Sequence, residues 1–337
     1  MQLLRDRFEG AILGTLVGDA LGAPVEGWNC ERMNDTLDRL RDMDLAQRSL
    51  TVAVLGLITG GEVLDGMARY TDDGQMTLGV AESLVAFPEF DGPDMARRFA
   101  ENFEGQRGYG PGAYGVLLAL RNGATWDEPA HQLFGGKGSF GNGAAMRAAP
   151  VGLLYHRNTA RLRRVADAQS TITHTNVLGR QGAVLQAAFV AQAVNTPPGT
   201  FDPLLFLAQA TEAAGILETK YEDGLNDVKN LIENPAPRCE AAELLVCGIE
   251  AHLSVPAAAY AFLSHPYDFA SAVTYAVRLG GDTDTIGAMC GAIAGAYHGA
   301  SSIPTAWLAA LENGPKGRDY AQTLARDLFA VWQEQES

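Results

Sequence analysis

An all-α fold is predicted by three features of the 337-residue chain. Apolar residues recur at helical spacing through most of its length. Alternating strand patterns are scarce, with Ser49–Ile58 the one plausible strand. Glycine numbers 38, and many of these residues sit inside helical patterns, where each costs roughly 1 kcal/mol against alanine. That cost is tolerable where helices approach closely or where backbone must reach a ligand. Together these features predict a compact single-domain helical bundle over residues 1–337, with tight helix crossings.

In chain order, Phe8–Ala20 is apolar with glycine at 10, 14 and 18. Gln75–Ala86, Ala144–Tyr155, Val177–Ala193, Ala241–Leu253, Pro256–Leu263, Phe269–Leu279, Thr285–Tyr297 and Asp319–Glu334 share the helical spacing. Two stretches stand apart. Asn29–Met67 is irregular and directly follows a motif, which makes it a candidate lid. Phe201–Pro237 is charged, carries Pro203, Pro235 and Pro237, and reads as a variable insertion without chemistry of its own. The segments GAILG (10–14) and GAIAG (291–295) are alike but too short to define a repeat.

Lys and Arg total 25 against 40 Asp and Glu, a net charge of −15. Such a surface is unsuited to coating nucleic acid, although a local pocket for a phosphorylated small molecule stays open. Cys30, Cys239, Cys247 and Cys290 lack zinc-motif spacing and are expected to be reduced apolar fillers. Charges within MQLLRDRFEG precede any apolar leader core, and Ile286–Tyr297 is too short to span a bilayer. These readings predict a cytoplasmic protein. No heptad is evident, which predicts a monomer.

Two acidic clusters carry the strongest chemical signal. Tyr70-Thr71-Asp72-Asp73 and Gly280-Gly281-Asp282-Thr283-Asp284-Thr285 each precede a helix. A single Asp or Thr there is accounted for by N-capping. A second adjacent carboxylate adds repulsion unless a cation offsets it. Carboxylates and hydroxyls without thiolate or histidine form a hard oxygen donor set, suited to Mg²⁺ or Mn²⁺ rather than zinc or copper. Each cluster could supply half of a two-metal site, with ions about 3.5–4 Å apart.

Three further segments belong with them. The Gly-rich run Phe134–Gly143 matches neither the P-loop nor the dinucleotide fingerprint, yet leads into a helix and can expose N–H groups to an anion. Gly18–Glu26 places Glu26 just past a helix end, where a solvated surface role is the ordinary one. Thr173-His174-Thr175-Asn176 precedes a long apolar helix, and a lone histidine is more often structural than catalytic.

In this order, the segments GAILGTLVGDALGAPVE, YTDDGQMT, RGYGPGA, FGGKGSFGNGAAMR, THTNVLGRQGAVLQA and LGGDTDTIGAMCGAIAGAYHG resemble the ADP-ribosylglycohydrolase family over nearly the whole chain. FGGKGSFGNGAAMR, the His174 segment and Ser254-Val255-Pro256 are most similar to the branch acting on serine-linked ADP-ribose, poly(ADP-ribose) and O-acetyl-ADP-ribose. The resemblance implies an all-α hydrolase with two Mg²⁺ ions (or Mn²⁺) in a cleft. It implies Thr71, Asp72 and Asp73 as one half of the metal ligands, and Asp282, Asp284 and Thr285 as the other. Glu26, Asp73 and Asp282 become the implied catalytic residues, with Glu26 either deprotonating water or protonating the leaving group. Ser139, Gly141 and Asn142 are implied at the diphosphate and ribose, with Gly138 beside them and Gly110 and Gly112 as further backbone contacts. Phe134 and Phe140 are implied near the adenine, Phe140 standing where a tyrosine is common. His174 is implied at the distal ribose. Competing implications are an arginine-directed hydrolase and a non-catalytic ADP-ribose-binding relative. Relatives of that last kind tend to lose acidic positions, whereas all are present here. The implied partner is an ADP-ribosylated protein or ADP-ribose conjugate as substrate.

Overall fold

Glycines at 10, 14, 18 and 22 recur every four residues and so form one row along a helix. In the computed structural model, which describes residues 2–41, 68–197, 199, 201–215 and 218–336, that row is a helix–helix seam. The described residues form seventeen α-helices in chain order: α1 (Gln2–Gly22), α2 (Cys30–Arg41), α3 (Asp72–Ala86), α4 (Gly92–Asn102), α5 (Pro111–Arg121), α6 (Glu128–His131), α7 (Ala149–Leu154), α8 (Thr159–Ser170), α9 (Val177–Asn195), α10 (Pro203–Ala214), α11 (Thr219–Glu233), α12 (Arg238–Leu245), α13 (Ala251–Ser264), α14 (Phe269–Arg278), α15 (Thr283–His298), α16 (Thr305–Ala310) and α17 (Arg318–Glu336). No strand occurs among the described residues, as the sequence predicts.

Helices α1 and α15 lie antiparallel along the glycine row. A Cβ built on Gly10, Gly14 or Gly18 would fall 2.3, 2.2 or 2.0 Å from the carbonyl oxygens of Gly295, Gly291 and Gly287. One on Gly22 would lie 2.2 Å from the Thr283 oxygen. Backbone touches backbone at these four positions, so only glycine fits on α1, and the register between the helices is set. α15 is buried from Thr283 to Tyr297 and packs also on α9, α13 and α14, while α1 packs on α3 and α17. A helix apolar on all sides belongs in a core. α1 is long and apolar enough to cross a membrane, but it lies in that core, with Phe8, Ile12 and Leu16 wholly buried. The seam's consequence is local: the C-terminal end of α1 and the N-terminal end of α15 are held side by side.

Several expected elements differ. Ala144–Tyr155 is not one helix: a 3-10 turn (Asn142–Ala144) precedes α7, where Pro150 fits the first turn because its missing N–H needs no partner there. Ala241–Leu253 is broken after Leu245. Val246 and Cys247 turn left-handed, at φ 66° and 48°, and the chain restarts as α13. Tertiary hydrogen bonds override the helical pattern there, because the Cys247 and Ile249 carbonyls accept from Asp282 and Asn142 N–H, both at 3.0 Å. The described residues of 201–237 form α10 and α11, with Phe206, Leu207, Tyr221, Leu225 and Val228 in the core. Of Asn29–Met67, residues 30–41 form α2. Positions 42–67, including the expected strand Ser49–Ile58, lie outside the described residues.

The cysteine expectation needs a larger correction. Cys30 and Cys239 form a disulfide, with Cα atoms 5.4 Å apart across 209 positions of sequence, linking the first residue of α2 to α12. Only Cys247 and Cys290 are free and buried, as fillers are. Sequence spacing carries no information about a pair that tertiary docking brings together. The cross-link also removes the cysteine-based reason for expecting a reducing compartment.

Candidate active site

Three chain segments meet where the seam ends. α1 closes in a 3-10 turn (Ala23–Val25), and Glu26 follows it. The next residues are strapped to the start of α15: Gly27 N–H donates to the Gly281 carbonyl at 2.8 Å, and Gly281 N–H donates to the Trp28 carbonyl at 2.7 Å. Gly280 and Gly281 have φ of 82° and 77°, and a Cβ on Gly281 would lie 2.0 Å from the Cys247 oxygen. Asp282 then caps the start of α15, its N–H given to that Cys247 oxygen at 3.0 Å.

The other acidic cluster is anchored from inside the seam. Asp19, wholly buried on α1, accepts Thr71 N–H on both carboxylate oxygens at 2.9 Å and Gly74 N–H at 2.8 Å. It thus caps α3 from another helix. Arg107 supports the same turn: it donates to the Tyr70 carbonyl and to Glu312, each at 2.7 Å, and its own carbonyl accepts Asp72 N–H at 2.7 Å. Asp19 and Arg107 support the site from behind, and the sequence reading assigns neither a role. A carboxylate in the middle of an apolar, Gly-rich helix is a usable signal for Asp19. Arg107 shows none.

The two clusters converge. Asp73 Oδ2 accepts hydroxyl hydrogens from Thr71 and from Thr285, both at 3.3 Å, although Thr285 lies 212 positions away. Asp73 Oδ1 is buried without a hydrogen-bond partner. Carboxylate oxygens of Glu26, Asp282 and Asp284 lie within 4.8 Å of one another. Asn142 donates its side-chain amide to Asp282 and, at 3.2 Å, to Ser254 Oγ.

Burial and mutual repulsion disfavour ionisation throughout this group. Burial raises Asp19 to about 7, and burial with the Asp19 charge raises Asp72 to about 8. Asp73 and Asp284 are pushed well above the usual carboxylate range by burial and by their carboxylate neighbours. Burial raises Asp282, and burial with the Asp282 charge raises Glu26. An unpaired buried oxygen, an all-oxygen donor set and crowded carboxylates are together the setting that a hard divalent cation satisfies.

A cavity of about 220 Å³ opens over these carboxylates. Glu26, Asp72, Asp73, Asp282, Asp284 and Thr285 form its acidic wall. Gly110, Gly112, Phe134, Ser139, Gly141, Asn142 and His174 line the rest, with Gly108, Gly143, Met146 and Ile249, which the sequence reading did not single out.

The ADP-ribosylglycohydrolase family model matches residues 1–337. The chain belongs to this family. Among curated relatives, the ADP-ribosylhydrolase ARH3 of Gallus gallus is 35% identical, covering 98% of this chain and 94% of the relative. The ARH3 of Homo sapiens is 33% identical, over 97% and 94%. A solved structure described as an ADP-ribosylglycohydrolase-related protein complex superposes with a TM-score of 0.68 at 28% identity, covering 98% of this chain and 99% of that one. Membership makes this chain a hydrolase.

In this ADP-ribosylglycohydrolase, the Gly-rich loop is shaped by pairing with the segment that breaks the expected helix. Asn142 N–H donates to the Ile249 carbonyl at 3.0 Å and Ala251 N–H to the Phe140 carbonyl at 3.1 Å. Ser139 Oγ accepts Gly141 N–H at 3.2 Å. Phe134 projects its ring beside Gly112 and is 61% exposed, a free aromatic face at the cavity mouth. Three further expected residues lie outside the cavity lining. Gly138 is a packing glycine: at φ 70°, a Cβ there would lie 2.2 Å from Thr175 Oγ1. Phe140 is exposed outside the cavity lining. Thr71 caps α3 and reaches the cavity through Asp73.

Proposed function

We propose that this hydrolase removes ADP-ribose from a modified acceptor by cleaving the bond at the anomeric carbon of the distal ribose, with protein serine, poly(ADP-ribose) or O-acetyl-ADP-ribose as the acceptor class. The observation that carries the reading is the convergence of Glu26, Asp282 and Asp284 within 4.8 Å on a cavity that the Gly-rich loop also lines. The ARH3 relatives, similar over nearly the full chain, support the acceptor class.

Thr71, Asp72 and Asp73 at the start of α3, with Asp282, Asp284 and Thr285 at the start of α15, would hold two Mg²⁺ ions, or Mn²⁺. Bound there, such ions supply charge for orienting ribose hydroxyls and a water. The chain's own residues do the rest. Glycosidic cleavage passes through an oxocarbenium-like state and needs one proton moved at the water or the leaving group. Glu26 is the mobile-proton candidate, because it is exposed to the cavity while burial and Asp282 raise its pKa towards the working range. Asn142 holds Asp282 in place, and Ser139 and the Gly110–Gly112 backbone face the diphosphate side. Phe134 offers a stacking face for adenine.

The test is release of ADP-ribose from a serine-modified peptide, with and without EDTA. Release that EDTA abolishes and Mg²⁺ restores supports the reading. Release from an arginine-modified peptide alone moves the acceptor to the arginine branch, and no release from either peptide, from poly(ADP-ribose) or from O-acetyl-ADP-ribose sinks the proposal. Glu26→Gln is expected to lower turnover about 10²–10⁴-fold while ADP-ribose still binds. Unchanged turnover removes Glu26 from the chemistry.

A further inference from the structure

Beneath the cavity lies a guanidinium whose hydrogen bonds go to neutral groups. Arg147 is wholly buried. Its Nε donates to Gln169 Oε1 at 2.6 Å and its Nη2 to the Gln169 carbonyl at 2.8 Å. The Gln169 amide in turn donates to the Ala144 carbonyl at 2.9 Å, and the Phe99 ring lies 4.7 Å from the guanidinium. The remaining arm, Nη1, donates to Thr173 Oγ1 at 2.8 Å.

A guanidinium only donates. The Thr173 oxygen therefore receives a hydrogen from Arg147 and keeps its own hydroxyl hydrogen to give. Thr173 is wholly buried, and its partner is His174 Nδ1 at 2.7 Å. A buried hydroxyl left without an acceptor is costly, so the hydroxyl donates to Nδ1. A neutral imidazole that accepts at Nδ1 carries its proton on Nε2. His174 stays neutral, because burial and the nearby Arg147 charge push its pKa down to about 3. The Nε2 edge lies against Gly141 and Gly143 in the cavity lining, and Nε2 has no hydrogen-bond partner among the described residues.

We infer that Arg147 and Thr173 are positioning residues that hold His174 as the Nε2–H tautomer, so that it presents one hydrogen-bond donor to an acceptor oxygen of the ligand. The direction of donation runs from Arg147 through Thr173 to the cavity without reversal. A ligand hydroxyl at this point must offer its oxygen and keep its hydrogen for another partner. A ribosyl oxygen satisfies that requirement, and an ammonium group does not. The ligand's identity rests on the function proposed above, whereas the tautomer rests on the hydrogen bonds alone.

The tautomer is directly measurable. Protein labelled with ¹⁵N-histidine is studied at pH 7 by two-bond ¹H–¹⁵N correlation, with the His174 signals assigned by their loss in His174→Gln. Wild type and Thr173→Ser are expected to show the Nε2–H pattern. Thr173→Val is expected to show the Nδ1–H pattern or an average of the two, with ADP-ribose binding about tenfold weaker than in wild type. Thr173→Ser should bind within about threefold of wild type. An Nδ1–H pattern in wild type overturns the inference, and so does an unchanged pattern in folded Thr173→Val. Should Thr173→Val fail to fold, the wild-type pattern decides alone. If the Nε2–H pattern is found but ADP-ribose fails to bind wild type, the functional reading falls and the relay stands.

Discussion

The α1–α15 seam and the segment from Arg238 to Glu250 both support Asp282, and they do so by opposite means. The seam is buried, regular and made of glycine and alanine, and it permits no side chain at its contact points. The other segment is partly exposed and irregular beyond α12: it is tied by a disulfide at Cys239 and turns left-handed at Val246 and Cys247. The Gly22 carbonyl at the seam's end accepts the Thr283 hydroxyl at 2.9 Å, and the Cys247 carbonyl accepts Asp282 N–H at 3.0 Å. One region positions the site by leaving no alternative packing, whereas the other does so by specific bonds that outweigh local preference.

That difference predicts unequal sensitivity to substitution. Gly18→Val should be the most damaging change outside the acidic residues. A Cβ at Gly18 meets the Gly287 oxygen at 2.0 Å and its carbonyl carbon at 2.4 Å, and neither backbone can retreat without opening the seam. Overpacking usually costs about 1–3 kcal/mol, and a backbone clash at the core lies at or beyond the top of that range. Thermal denaturation should show a loss of roughly 3 kcal/mol or more. A Tm within a degree of wild type would mean that the helices slide freely, and the seam could not then set the distance between Asp19 and Asp284.

Loss of the cross-link should rank next. Replacing Cys30 and Cys239 by serine should lower stability by about 2–4 kcal/mol, the usual contribution of a disulfide closing a long loop. Alkylation of the oxidised, denatured protein should label two of the four cysteines. Labelling of all four would remove the cross-link and leave the irregular region held by hydrogen bonds alone.

Legibility from sequence follows the same division. Helical periodicity exposed α1, α3, α9, α14, α15 and α17, because a buried helix leaves its pattern in consecutive residues. The acidic clusters were equally readable, since like charges crowded at a helix start demand an explanation. Positions settled by distant contact were not readable. Asp19 caps a helix that begins 53 positions further on, at Asp72. Cys239 pairs across 209 positions. Val246 breaks a helix that its own neighbours favour, because Asp282 and Asn142 need the Cys247 and Ile249 carbonyls. Gly138 and Phe140 share a motif with Gly141 and Asn142, yet only the latter two line the cavity, since a loop's sequence does not say which of its residues border a pocket.

Acid should reveal the seam's end selectively. Carboxyl groups whose folded pKa is raised contribute stability that is fully present below about pH 4 and is lost as pH rises through the folded values. For Asp19 and Asp72 those values are about 7 and about 8. With EDTA present, Tm should therefore fall as pH is raised from 5 to 8, and added Mg²⁺ should remove most of the fall. A flat profile in EDTA would show that the carboxylates are already compensated by other groups. The backbone hydrogen bonds of the Arg238–Glu250 segment do not titrate and add nothing to this profile.

The smallest expected effect tests whether the irregular segment stores strain. Val246 holds φ 66° with its side chain 60% exposed, so its branched Cβ sits in a disfavoured conformation with little packing in return. A left-handed non-glycine residue costs roughly 1–2 kcal/mol. Glycine removes that cost but loses more entropy on folding, roughly 0.5–1 kcal/mol. The two nearly cancel, and strain wins by a margin of about 0.5–1 kcal/mol. Val246→Gly should therefore raise Tm by a degree or two, while Val246→Ala, which keeps a Cβ, should gain less. A Tm lowered by both substitutions would assign the valine a packing role that its exposure denies. A Tm lowered by glycine alone would mean that chain entropy outweighs the strain, and that the hydrogen bonds from Asp282 and Asn142 hold the turn at almost no conformational cost.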